Sequence, residues 1–100
     1  MKADTVRAAR LFGQSAELGY APAQYMYGWC LHEGYCVSQD YTKAAPWLTK
    51  AAEQGYDKAL NTLGYCYEKG QGVPQDYNKA VLWYTKAAEQ GYAYAQNNLG

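Results

Sequence analysis

Four side chains in one seven-residue stretch carry most of the reactive chemistry in this sequence. Cys30, His32, Glu33 and Cys36 bring two thiols, an imidazole and a carboxylate together, a set that suits zinc, whose tetrahedral sites take thiolate and imidazole ligands. The spacing argues against such a site, because Cys30 and His32 stand two residues apart and point to different sides of a helix. A thiol nucleophile at Cys36 with His32 as its base would need an orienting third group and an oxyanion hole. Nothing nearby supplies either in a recognisable order. His32 is the one histidine of the chain and reads as a solvent-facing or groove-lining side chain. Gly70-x-Gly72 lies in a helix-to-helix turn rather than between a strand and a helix, so it is no phosphate loop. The carboxylates Glu17, Glu53 and Glu89 recur because a longer segment recurs, not because two of them flank a substrate. The expectation is a chain without catalytic residues, metal or cofactor.

The recurring segment is the main feature. Ala51-Ala52-Glu53-Gln54-Gly55-Tyr56 returns as Ala87-Ala88-Glu89-Gln90-Gly91-Tyr92, and a weaker copy stands at Ser15-Ala16-Glu17-Leu18-Gly19-Tyr20. The period is 36, and residues 15–50 laid on 51–86 without a gap give 17 identities. Residues 51–64 on 87–100 give 10 in 14, so the last unit is expected to be incomplete and the chain to belong to a longer array.

Each unit reads as two helices joined by tight turns. Leu60, Leu63, Gly64 and Tyr67 follow the i, i+3, i+4, i+7 spacing of one helical stripe. Gly70 stops that helix, a loop follows, and Asp76 is placed to cap the next helix through a backbone N–H bond. Along that second helix Tyr77, Ala80, Tyr84, Ala87 and Ala88 form the expected packing stripe, and Gly91 is expected to end it as a left-handed residue. One period earlier the same grammar uses Asp40, Tyr41, Ala44, Trp47, Ala51, Ala52 and Gly55. The spacing predicts six helices, at about 4–18, 22–33, 40–54, 57–69, 76–90 and 93–100.

Composition agrees with an all-α chain and narrows its partners. Sixteen Ala, twelve Tyr and three Trp with no Ile suit helices packed through small residues and large rings. Nine basic residues balance nine acidic ones and never form a run of three, so no field gathers polyanions and nucleic acid is not expected as a partner. The longest uncharged stretch, Gly19 to Leu31, is interrupted by Pro22, Gln24 and Gly28 and is too short and polar to span a bilayer. Neither a membrane-spanning helix nor an export signal is read, and with three cysteines the simplest home is a reducing, bacterial-type cytoplasm. A periplasmic or secreted location is the alternative if an upstream leader has been lost.

The string Leu63-Gly64-x-x-Tyr67-x-x-Gly70-x-Gly72-Val73-x-x-Asp76-x-x-Lys79-Ala80-x-x-Trp83-Tyr84-x-Lys86-Ala87-Ala88-x-x-Gly91 resembles the Sel1-like repeat, a relative of the tetratricopeptide repeat. The resemblance covers a leading second helix at 4–18, full repeats at 21–54 and 57–90, and a truncated repeat at 93–100. It implies a right-handed α/α solenoid whose family members serve as scaffolds and adaptors in protein complexes. It also implies that the first helix of each pair lines the concave face. Mapped by periodicity, that face holds Pro22, Tyr25, Trp29 and His32, then Lys58, Asn61, Tyr65 and Glu68, then Tyr94 and Asn97. Tyr and Trp give large contact area with few rotors to freeze, and Asn61 and Asn97 could each pair with an extended backbone, so a protein or peptide partner is expected there. The alternatives are a purely structural slice of a longer solenoid, with weak self-association through its open C-terminal repeat, or a hydrolase of the cysteine-rich branch of the family. That branch bridges its helices with cysteines near the places held here by Ala52 and Ala59, so its activity is not transferred.

Three departures from the pattern set further expectations. Pro46 falls inside a helix, where it removes an N–H and crowds the carbonyl of Thr42, so a kink or a late helix start is expected. Cys36 stands in the place of the loop glycine Gly72. Gln24 stands in the place of Leu60, which suggests a half-buried column. Cys30 and Cys66, one period apart, read as small buried thiols in a column too widely spaced for a disulfide, whose Cα atoms approach within about 7 Å.

Overall fold

The computed structural model describes residues 2–35 and 37–99, with side chains at 7–8, 10–35 and 37–91. Five helices follow one another: α1 (Lys2–Glu17), α2 (Ala21–Glu33), α3 (Tyr41–Glu53), α4 (Asp57–Lys69) and α5 (Tyr77–Leu99). Each packs chiefly on the helix before it and the helix after it, which makes an all-α array of sequential helix pairs.

Within each pair, one glycine sets how near the helices come. A Cβ on Gly28 of α2 would lie 2.9 Å from Leu48 Cγ of α3, and a Cβ on Gly64 of α4 would lie 2.9 Å from the Tyr84 ring of α5. Both distances are below ordinary carbon contact, so only glycine admits the close approach. Around these contacts Leu48, Leu60 and Leu63 are buried with Ala44, Ala51, Ala52, Ala59 and Cys66 in one core cluster. Each such leucine contributes about 1.5–3 kcal/mol relative to an exposed one.

The loops inside the two pairs, between α2 and α3 and between α4 and α5, are copies at the level of single hydrogen bonds. The Asp40 and Asp76 carboxylates accept from the N–H of Lys43 and Lys79 at 3.1 and 3.2 Å, so both cap their helices as expected. The Gln39 and Gln75 amides each donate at 2.9 Å to a carbonyl near the end of the preceding helix, that of His32 and that of Glu68. Gly34 and Gly70 end α2 and α4 in the left-handed region. Gly72 also has positive φ, at +79°, and a Cβ there would run into the Tyr41 carbonyl. The second loop is thus seated on the first turn of α3. Its counterpart Cys36 lies outside the described residues.

Four expectations need correction. Helix α5 does not end at Gly91 but continues to Leu99, so there are five helices where six were expected. At Gly19 and Gly55 the chain turns with φ of +90° and +82° because a following helix packs back onto the pair, and Gln54 donates to the Gly19 carbonyl at 3.0 Å. At Gly91 the helical bonds carry through a glycine whose Cβ position meets nothing within 4 Å. The packing stripe of α5 is Ala80, Trp83, Tyr84 and Ala87, whereas Tyr77 and Ala88 are exposed. Their counterparts Tyr41 and Ala52 are covered because the second repeat lies over them. Gln24 is buried rather than half-buried, since its amide donates to the Ala16 carbonyl at 3.2 Å and accepts from Gln54 at 2.8 Å, leaving no polar atom to desolvate uncompensated. Pro46 does not delay α3, which starts at Tyr41 on its Asp40 cap. Pro46 and Thr42 are exposed, so water can reach the carbonyl that loses its N–H partner.

Glycine substitutions separate these roles. Gly72→Ala is expected to lose about 2–4 kcal/mol, from left-handed strain and the collision with the Tyr41 carbonyl. Gly91→Ala is expected to gain about 0.5–1 kcal/mol as a helix-interior change. Urea unfolding followed by circular dichroism reads both, and a loss of stability from Gly91→Ala in place of the gain would mean that the helix breaks there after all.

Candidate functional site: an aromatic hollow between the repeats

The hollow starts from the side of α2 and α4 that faces away from the core. An open cavity of about 540 Å³ lies between them. Helix α2 brings Trp29, His32 and Glu33, and α4 brings Asn61, Thr62 and Tyr65. The floor is closed by Tyr41 from the first turn of α3, Gln71 from the loop after α4, and Tyr84 from α5. Helical spacing explains the grouping: 29, 32 and 33 share one side of α2, and 61, 62 and 65 share one side of α4.

His32 is the hub. It is 6% exposed, which removes the solvent-facing reading and leaves the groove-lining one. Its Nδ1 lies 2.7 Å from Glu33 Oε2 and its Nε2 lies 2.9 Å from Gln71 Oε1. A doubly protonated ring donates to both oxygens, while a neutral ring donates from Nδ1 and accepts at Nε2 once the Gln71 amide turns end for end. The ring centroid is 4.8 Å from that of Tyr41 and 6.4 Å from that of Tyr65. His32 thereby ties α2 to the next repeat's loop and packs two rings of the hollow at once.

Of the ten residues expected on the concave face, the structure brings Trp29, His32, Asn61 and Tyr65 together. Tyr65 is 42% exposed and reachable. Tyr25 packs instead on Tyr56, ring centroids 5.5 Å apart. Lys58 is exposed and does not line the hollow. Glu68 stands behind the floor, its Oε1 accepting from the Tyr84 hydroxyl at 2.9 Å. The side chains of Tyr94 and Asn97 lie outside the described residues. Pro22 lines a separate apolar hollow of about 190 Å³ with Phe12, Tyr20 and Met26.

Glu33, Tyr41, Thr62, Gln71 and Tyr84 were not expected at this site. Thr62 could have been found as the neighbour of Asn61 on the same face. Gln71 carried no signal, because its contact with His32 spans 39 residues and depends on how one repeat stacks on the next.

Below the hollow two groups titrate late. Burial pushes the Cys66 thiol up from 9.0 to about 11. The Tyr84 phenol is pushed up to about 12, first by burial and then by its hydrogen bond to Glu68 and the surrounding negative charge. A thiol held protonated in the fold favours folding below its unfolded pKa. As pH rises the unfolded chain releases its proton first, so this contribution is lost between about pH 9 and 11. Stability is expected to fall across that window, and Cys66→Ala is expected to flatten the slope even though it lowers the plateau. Urea midpoints at pH 8, 9, 10 and 11 check this, and an unchanged slope in the variant would assign it to other groups.

Among the described residues, no helix is long and apolar enough to cross a membrane. A family model described as Sel1 repeat matches residues 1–20, 21–56 and 57–92. Among solved structures, the chain is similar to a Sel1 repeat protein from Oxalobacter formigenes, with 38% identity and a TM-score of 0.79 over 82% of this chain and 63% of that one. It is similar to c5321, described as a protective antigen present in uropathogenic Escherichia coli strains displaying an SLR fold, with 46% identity and a TM-score of 0.78 over 91% of this chain and 20% of that one. Helicobacter pylori cysteine rich protein B matches with 26% identity and a TM-score of 0.79 over 85% of this chain and 64% of that one. The chain therefore spans a little under two thirds of two of these relatives and a fifth of the third. No curated protein matches. With its 36-residue period, its paired helices and a family match over nearly its full length, this chain belongs to the Sel1 repeat family.

Proposed function

We propose that this chain is a non-catalytic interaction module that holds a peptide or partner segment in the hollow between α2 and α4. The observation that carries this reading is the convergence of Trp29, Tyr65 and Asn61 on one cavity of about 540 Å³, with rigid aromatic area beside an amide that can meet an extended backbone. What supports the non-catalytic part is His32, the ring best placed to move a proton. Both of its nitrogens already face partners within the chain, so neither is presented to a substrate. A reducing compartment goes with this reading, supported by Cys66 held as a buried free thiol.

A second reading rests on the far side of the array. Tyr77, Val81 and Leu82 are 64, 62 and 50% exposed on α5, and Ala52, Leu60, Trp83 and Gln90 help to line a hollow of about 580 Å³. These are places where a further repeat would stack, and the chain would then serve mainly to extend a solenoid.

One comparison separates the two. The native chain is expected to retain a protein from a lysate that a Trp29→Ala, Tyr65→Ala variant does not, with helical circular dichroism unchanged, as read by mass spectrometry. Identical capture by both, or capture abolished only by Tyr77→Ser with Val81→Ser, would favour the structural reading.

A further inference from the structure

Whatever occupies the hollow meets rings on several sides and one carboxylate. Trp29, Tyr41, Tyr65 and Tyr84 supply the rings, Glu33 the charge, and the lining includes no lysine or arginine. Glu33 is 48% exposed at its side chain and commits only Oε2 to His32. Among the described residues nothing donates to its Oε1, which is left as an acceptor. Behind the floor Glu68 adds a second carboxylate through its contact with Tyr84.

The chain shows elsewhere what its tryptophans do with such surroundings. Lys50 Nζ lies 4.6 Å from the Trp47 ring centroid, and one period later Lys86 Nζ lies 5.0 Å from that of Trp83. Each lysine stands three residues after its tryptophan, on the same helix face. Three residues after Trp29 the chain has His32 instead, turned to Glu33 and Gln71. Among the described residues no lysine or arginine lies over Trp29. Of the three tryptophans, the one with no lysine over its ring lines the hollow beside a half-exposed carboxylate, while Tyr65 in the same lining has Lys69 Nζ 5.9 Å from its ring centroid.

We propose that the segment held in this hollow presents a basic side chain, arginine in preference to lysine, into the space between Trp29, Tyr65 and Glu33. This specifies the partner and rests on the binding reading given above. A guanidinium is flat, so it stacks on the faces of Trp and Tyr, and its forked donors reach a carboxylate that still has a lone oxygen. A lysine ammonium gains the same attraction without the stacking. An acidic segment would meet the two carboxylates of Glu33 and Glu68 against the one lysine, Lys69, that stands over a ring of the hollow among the described residues.

The test uses the full chain, immobilised, and a library of randomised ten-residue peptides. Peptides retained by the native chain and released by the Trp29→Ala, Tyr65→Ala variant are expected to share an arginine, or less often a lysine, at one position. Replacing that arginine by citrulline, equal in size and uncharged, is expected to weaken binding about tenfold. Glu33→Gln, an exposed substitution that leaves helicity unchanged, is expected to weaken the arginine peptides several-fold and the citrulline peptides hardly at all. Peptides that depend on Trp29 and Tyr65 but carry neutral or acidic residues at that position overturn this inference and leave the groove standing. Equal losses from Glu33→Gln for arginine and citrulline peptides also overturn it. If no peptide depends on Trp29 and Tyr65, the groove itself is withdrawn and this inference goes with it.

Discussion

The geometry of the array depends on the missing side chain at Gly28 and Gly64. Where these residues face Leu48 and Tyr84, the helices of a pair approach to a distance that even alanine would prevent. That approach lets alanines form most of the core between larger anchors, with Ala44, Ala51 and Ala59 fully covered. It also seats Tyr84, part of the floor of the hollow, directly against α4. The hollow between α2 and α4 thus depends on packing inside the α4–α5 pair as well as on the residues that the two helices contribute.

Tyr84 shows how closely core and surface are joined. One part of its ring rests against Gly64, its hydroxyl donates to Glu68, and it forms part of the floor of the hollow. Tyr41 has a comparable double place, its ring beside that of His32 and its hydroxyl accepting from the Gln39 amide at 3.2 Å. Rings held from both sides have little rotamer freedom left to lose, which favours them as recognition surfaces.

Much of this was legible in the sequence because a repeat repeats its local physics. The period gave the pairing of helices, Asp40 and Asp76 announced their caps, and Cys30 and Cys66 announced a buried column. What escaped notice depended on the neighbour rather than on the residue. Gln24 looks too polar to bury until Gln54, thirty residues away, is seen to satisfy it. Gly91 has the same local sequence as Gly55, yet Gly55 turns the chain into α4 while Gly91 lies within α5. Tyr77 and Ala88 keep the spacing of a packing stripe, but nothing described covers them. For the hollow, helix periodicity identified the side chains that α2 and α4 contribute, while Gln71 and Tyr84 enter through stacking between units, which periodicity within one helix does not encode.

Because the main contacts run between consecutive helices, most tertiary contacts join residues about one repeat apart or less. Little loop entropy must be surrendered before a contact forms, and such topologies fold quickly. A helix leaving the ribosome needs only its immediate predecessor in order to bury its apolar stripe, so the array can assemble progressively during synthesis. The exposed face of α5 is then the growing surface of that process, the template on which any later helix would nucleate.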